Sequence, residues 1–184
     1  MAARLTRAAG LTGCALLALT VAACGPTGTG VITPAPTLAT AGPIRTVGPV
    51  VAQTRADLVR ALGSRRLILQ DSTAQFRPPE DARFTVTPRA LYQVILPQAP
   101  QEGFIVVYEF PDPTTAAEAA AAQAAYLATG PAKVQSPQGA QHVIRLVGPT
   151  VLLYTWVPGG VEDPLQPDIQ AALETLGTGV PVPS

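Results

Sequence analysis

The sequence predicts an α+β fold: a two-layer sandwich on a mainly antiparallel sheet, with helices on one face. Three observations carry this expectation. Strand-like runs follow one another across short turns, at 91–96 and 104–110 and again at 141–147 and 150–157, leaving no room for helical crossovers between them. The run 104–110 is apolar on both faces, with Phe104, Val106, Tyr108 and Phe110 on one and Ile105 and Val107 on the other, as in a central strand. Helical segments with their own start and stop signals stand before, between and after these runs.

The first helix is expected over 54–62. Thr54 reads as its cap with Asp57 three residues on, Leu58, Ala61 and Leu62 form an inner stripe, and Gly63 suits the stop. A short strand follows at 67–70, then a loop at 75–81 containing Pro78-Pro79. Residues 83–87 alternate, with Phe84 and Val86 on one face, and read as a strand interrupted by Pro88. The strand at 91–96 and the turn at 97–103 lead into the central run. Asp112-Pro113 opens the second helix as N-cap and first-turn proline. It runs through Ala-rich sequence to about residue 128, with Tyr126 and Leu127 as larger anchors and Gly130-Pro131 as the stop. Two strands flank Gly148-Pro149. The last helix starts near Asp163 or Gln166, buries Ile169, Leu173 and Leu176, and ends at Gly177, leaving 178–184 as a frayed tail.

The N-terminus has the three-part pattern of a secretory signal. Arg4 and Arg7 are the positive region, residues 11–21 are largely apolar, and Ala22 and Ala23 are small. The rival reading is an uncleaved membrane anchor. The apolar stretch from Ala8 to Ala23 is diluted by Gly10, Thr12, Gly13 and Thr20, and falls short of the roughly 20 residues a spanning helix needs. The residues Val21-Ala22-Ala23-Cys24 resemble the lipobox of bacterial lipoproteins, with Val21 where leucine is commonest. The resemblance implies cleavage between Ala23 and Cys24, and a Cys24 carrying a thioether-linked diacylglycerol with an N-acyl chain such as palmitate. One acyl chain anchors only marginally, at about 0.8 kcal/mol per buried CH₂, whereas two or three make desorption very slow. Gly25, rather than an aspartate, favours the outer membrane or, in a one-membrane envelope, its outer face.

The expected organisation is a signal peptide at 1–23, a lipidated cysteine with a flexible tether at 24–49, a globular domain at 50–177 and a tail at 178–184. The tether is rich in Gly, Pro and Thr. As a coil it spans about 25–30 Å, and stretched as polyproline II about 75–80 Å. Of the two cysteines, Cys14 lies in the leader and Cys24 is acylated, so no disulfide is expected in the mature chain. The chain carries 12 basic and 12 acidic side chains, and losing Arg4 and Arg7 leaves the mature part slightly acidic. Arg65-Arg66 is the one basic doublet, so the basic stripe of a nucleic-acid binder is missing.

From 103 to 177 the chain resembles a group of uncharacterised bacterial envelope lipoproteins. The resemblance rests on Gly103, Val106-Val107-Tyr108-Glu109-Phe110 and Asp112 before an Ala-rich helix, the turn Ser136-Pro137-Gln138-Gly139, the strand Val151-Leu152-Leu153-Tyr154, and Leu176-Gly177. Gln138 departs from the acidic residue common in that turn. The resemblance implies an envelope location and an accessory role, and supplies no catalytic residues or cofactor.

Few residues carry chemistry. His142, the one histidine, shares a strand face with Ile144 and Leu146. It reads as a core-edge residue with a hydrogen-bond partner, the alternative being a general base. Ser64, Ser72, Ser136 and Ser184 stand in no nucleophile-elbow setting. The acidic pairs Glu80-Asp81 and Glu162-Asp163 suit a hard cation in principle, but read as solvated loop residues or helix caps. Tyr154 and Trp156 share a face with Leu152 and read as core or as the wall of a ligand groove. The functional expectation is a non-catalytic envelope module that binds a protein, peptide or small ligand, with no cofactor and no metal. The alternative is an extracytoplasmic hydrolase using His142 or a carboxylate pair such as Glu109 and Asp112.

Overall fold

The computed structural model describes residues 48–158 and 163–183. The signal peptide, Cys24 and nearly all of the tether lie outside the described residues, as does Glu162. Among the described residues, no helix is long and apolar enough to cross a membrane.

Helix α1 spans Pro49–Gly63, five residues earlier than expected, with Gly48 at its N-cap and proline in the first turn, where the missing N–H costs nothing. Gly48 donates its N–H to the Glu109 carboxylate at 2.6 Å, and a Cβ at this position would lie 2.3 Å from Glu109 Oε1. The expected cap, Thr54, is instead buried inside the helix. Its hydroxyl bonds to the Val50 carbonyl oxygen and lies 2.9 Å from the Thr150 hydroxyl. A threonine satisfied by a distant strand looks, in sequence, like one that starts a helix.

Strand β1 is Leu69–Asp71, and the helical turn α2 is Ala82–Thr85. The strand expected at 83–87 is therefore corrected. Asp81 accepts the Arg83 N–H at 3.0 Å and caps the turn, which buries Phe84 and leaves Val86 79% exposed. Strands β2 (Arg89–Val94) and β3 (Phe104–Glu109) form a hairpin, followed by helix α3 (Pro113–Leu127) capped by Asp112. Gly130-Pro131, expected as a stop, opens a further short helix, α4 (Gly130–Gln135). Strands β4 (Gln141–Val147) and β5 (Thr150–Trp156), helix α5 (Gln166–Glu174) and strand β6 (Thr178–Gly179) complete the fold.

The strands form one antiparallel sheet in the order β1-β2-β3-β5-β4-β6, with β3 near its middle, so the class and the sheet are those expected. The helices, expected on one face, are divided between both. Ile105, Val107, Leu152 and Tyr154 pack with Val51, Leu58 and Leu62 of α1 and Ile169 and Leu173 of α5. Val106, Tyr108, Val151 and Leu153 pack with Phe84 of α2 and the alanines of α3. Central strands apolar on both faces need cover on both. Ala116, Ala119, Ala120 and Ala124 let α3 lie close to the sheet, and Phe84 fills the remaining space edge-on to Tyr108 and Phe110, at 4.7 and 5.3 Å between ring centres.

The tail is not frayed where it leaves α5. Thr178 and Gly179 pair with Leu146 and Arg145, and Val180 donates to the Ile144 carbonyl oxygen. The Arg145 guanidinium bonds to the carbonyl oxygens of Glu174, Leu176 and Gly177, closing the end of α5. Gly177 adopts φ 45°, and a Cβ there would meet the Leu146 carbonyl oxygen at 2.0 Å.

Candidate functional site

The loops gather at the end of the sheet where β2 and β5 leave and β3 and β4 enter. Four segments meet there: 72–81, 95–103, 136–140 and the start of α5. Phe104 opens β3 opposite Gln93, and His142 pairs with Thr155 across β4 and β5. These side chains lie on the α3 face. Phe76, from the loop after β1, stacks on Phe104 with ring centres 4.6 Å apart and planes 16° from parallel. Phe76, Pro78, Pro79, Phe104 and Trp156 wall a groove of about 220 Å³, with Thr155 among its polar lining.

The loop carrying Phe76 is pinned from below. Gln123, wholly buried on α3, accepts the Asp81 N–H at 2.7 Å and donates to the Pro79 carbonyl oxygen at 2.8 Å. Glu80 turns inward with its side chain 3% exposed. It accepts the Tyr108 hydroxyl at 2.6 Å, and Arg77 and Arg89 lie 3.1 and 3.2 Å from its oxygens. A buried carboxylate is tolerable only when paired in this way. Burial and the Glu80 bond together drive the Tyr108 phenol far above its ordinary range.

Beside the groove, and sharing Pro137 with it, a cleft of about 400 Å³ holds His142, Lys133 and Ser136. The His142 Nδ1 lies 2.9 Å from the Thr155 hydroxyl, and burial lowers its pKa from the ordinary value. The Ser136 hydroxyl donates to the Ala132 carbonyl oxygen at 3.0 Å, and no carboxylate is among the described residues lining the cleft. His142 therefore has a hydroxyl neighbour but no acidic group to orient it as a base.

The acidic candidates do not come together. Glu80 points into the core while Asp81 caps α2. Asp163 is buried and accepts the N–H groups of Gln98 and Leu165 at 2.8 and 3.0 Å. Glu109 holds Gly48. Asp112 accepts the N–H and hydroxyl of Thr115, bonds that keep its carboxyl below the usual range. Among the described residues no group of three or more His, Cys, Asp or Glu side chains is placed to hold a metal ion.

Tyr154 lies in the core beneath α1 and α5; Trp156, two residues on and on the same face, packs against that core and borders the groove at the end of β5. Sequence reasoning missed Phe76, Phe104 as a groove wall, and Gln123. For Phe76 a signal exists, an aromatic residue in a polar, proline-bearing loop. Gln123 is visible only as the lone amide within an alanine run. Comparisons with protein-family models, curated proteins and solved structures give no match.

Proposed function

We propose that this chain is a lipid-anchored, extracytoplasmic binding module. Cys24 tethers it to a bacterial membrane, and the groove walled by Phe76, Phe104 and Trp156 holds an apolar side chain of a protein or peptide partner. The observation that carries this reading is the stacked Phe76–Phe104 pair beside the chain's one tryptophan, in a pinned groove at the loop-bearing end of the sheet. A pocket for a drug-sized ligand occupies about 300–1,000 Å³. At about 220 Å³ this groove suits one large side chain. Aromatic walls with a polar rim are the usual composition of an anchor pocket.

The test is affinity capture from detergent-solubilised envelopes with the full chain and with Phe76→Ser. The expected result is a stoichiometric partner retained by the first and lost by the second. Recovery of nothing, or equal recovery by both, contradicts the reading. The cleft at His142 favours a second reading, a hydrolase using that histidine. Hydrolytic activity that survives both His142→Ala and neutralisation of Glu109 and Asp112 rules that reading out.

A further inference from the structure

Phe76 stands at the outer end of a stiff arm. Proline fixes its own φ and confines the residue before it to extended backbone, so Pro78-Pro79 restricts residues 77–79 between Phe76 and Glu80. Both prolines are buried, whereas Arg77 is exposed and Phe76 half-buried. Among the described residues, no hydrogen bond holds the backbone of residues 75–78; the nearest are at Ala74 and Pro79. The place of the Phe76 ring is therefore set by what grips the inner end of the arm and by what draws its outer end down.

Gln123 grips the backbone on either side of Glu80, at the Pro79 carbonyl oxygen and the Asp81 N–H, and reaches no further out. Glu80 does. One carboxylate oxygen accepts the Tyr108 hydroxyl of β3 at 2.6 Å and the Arg89 guanidinium of β2 at 3.2 Å. The other lies 3.1 Å from Arg77 Nε, near enough for an ion pair but not aligned as a hydrogen bond. Arg77 adjoins Phe76 in the chain, and it also donates to the Thr85 carbonyl oxygen at the end of α2, at 3.2 Å. The two partners differ in freedom: the Glu80 side chain is 3% exposed and the Arg77 side chain 52%. A charge withdrawn from water acts on its neighbours through a low dielectric, so the fixed carboxylate pulls the mobile guanidinium. The sheet thus holds Glu80, Glu80 holds Arg77, and Arg77 brings Phe76 onto Phe104, 4.6 Å away between ring centres.

We propose that Glu80 is a positioning residue for the groove, whose buried negative charge draws Arg77 inward and so sets Phe76 against Phe104. Its bearing on binding rests on the groove reading above; the placement of the ring does not. The test uses the full chain in detergent micelles with ¹³C-labelled phenylalanine, which gives four ring systems, the Phe76 ring being identified by Phe76→Ser. The expected result is a Phe76–Phe104 ring contact in nuclear Overhauser spectra that is at least fivefold weaker in Glu80→Gln, while the Phe84–Phe110 contact in the core keeps its intensity. Arg77→Gln leaves Glu80 paired with Arg89 and Tyr108, is expected to give the same selective loss, and decides alone if Glu80→Gln fails to fold. An undiminished Phe76–Phe104 contact in a folded variant, or a Phe84–Phe110 contact that weakens in parallel, overturns the proposal. N-acetylleucinamide, titrated as an apolar side-chain probe, is expected to bind each variant at least fivefold more weakly than the unaltered chain. If the unaltered chain takes none while the ring contact still depends on Glu80, the groove reading fails and the positioning role stands.

Discussion

The two ends of the sheet are built on opposite principles. At the end closed by the Gly148-Pro149 turn, polar groups find partners in distant elements. Gly48 bonds to Glu109, Thr54 to Thr150, and Asp112 closes the first turn of α3. At the other end, aromatic rings and prolines line cavities. One end spends its residues on holding the fold, while the other is held by residues beneath it and presents aromatic walls to the solvent. That contrast is the reason the groove end is proposed as the binding end.

The sharpest way to test the contrast is to damage each end separately. Phe84→Ala, which empties a fully buried site against Tyr108 and Phe110, is expected to cost about 3–5 kcal/mol in denaturant unfolding. The folded fraction is expected to keep its partner. Gly48→Ala pushes aside the Glu109 carboxylate, the movable end of its side chain, and is expected to cost about 0.5–1.5 kcal/mol through the hydrogen bond it displaces, again with binding intact. Phe76→Ser, at the open end, removes a half-buried ring whose stacking contributes about 0.5–1.5 kcal/mol beyond its buried area, yet is expected to abolish partner capture. A large stability loss from Phe76→Ser with binding retained would invert the assignment of the two ends.

The smallest expected effect is a pH dependence at His142. Burial holds its folded pKa below the unfolded value of about 6.5, so the folded state resists taking the proton. The stability that the neutral ring contributes is full above that unfolded value and is lost as pH falls from about 6.5 toward the folded pKa. His142→Gln is expected to flatten this acid-side slope in unfolding measured from pH 7.5 to 5. An unchanged slope would place the acid sensitivity elsewhere.

What could be read from the sequence follows how local each signal is. The central strand announced itself because its apolar residues fall on both faces, and α3 because Asp112, Pro113 and its alanines are contiguous. Helix α2 was hidden because four residues around Phe84 alternate as a strand would, and only the Asp81 cap distinguishes them. Thr54 misled because its partner, Thr150, is far along the chain. The tail's pairing depends on Arg145, equally remote from it. The groove is less legible still. Phe76, Phe104 and Trp156 come from separate segments, and nothing in their neighbours reveals that they meet. Both faces of the sheet being covered was implicit in the pattern of 104–110, which demands helices on each side.

The central claim is that the groove at the open end receives a partner. The direct measurement uses ¹⁹F NMR of the full chain carrying 5-fluorotryptophan at its one tryptophan, Trp156, in the presence of solubilised envelope. A new, broadened resonance that is absent for Phe76→Ser is the predicted result. A spectrum identical with and without envelope would contradict the account.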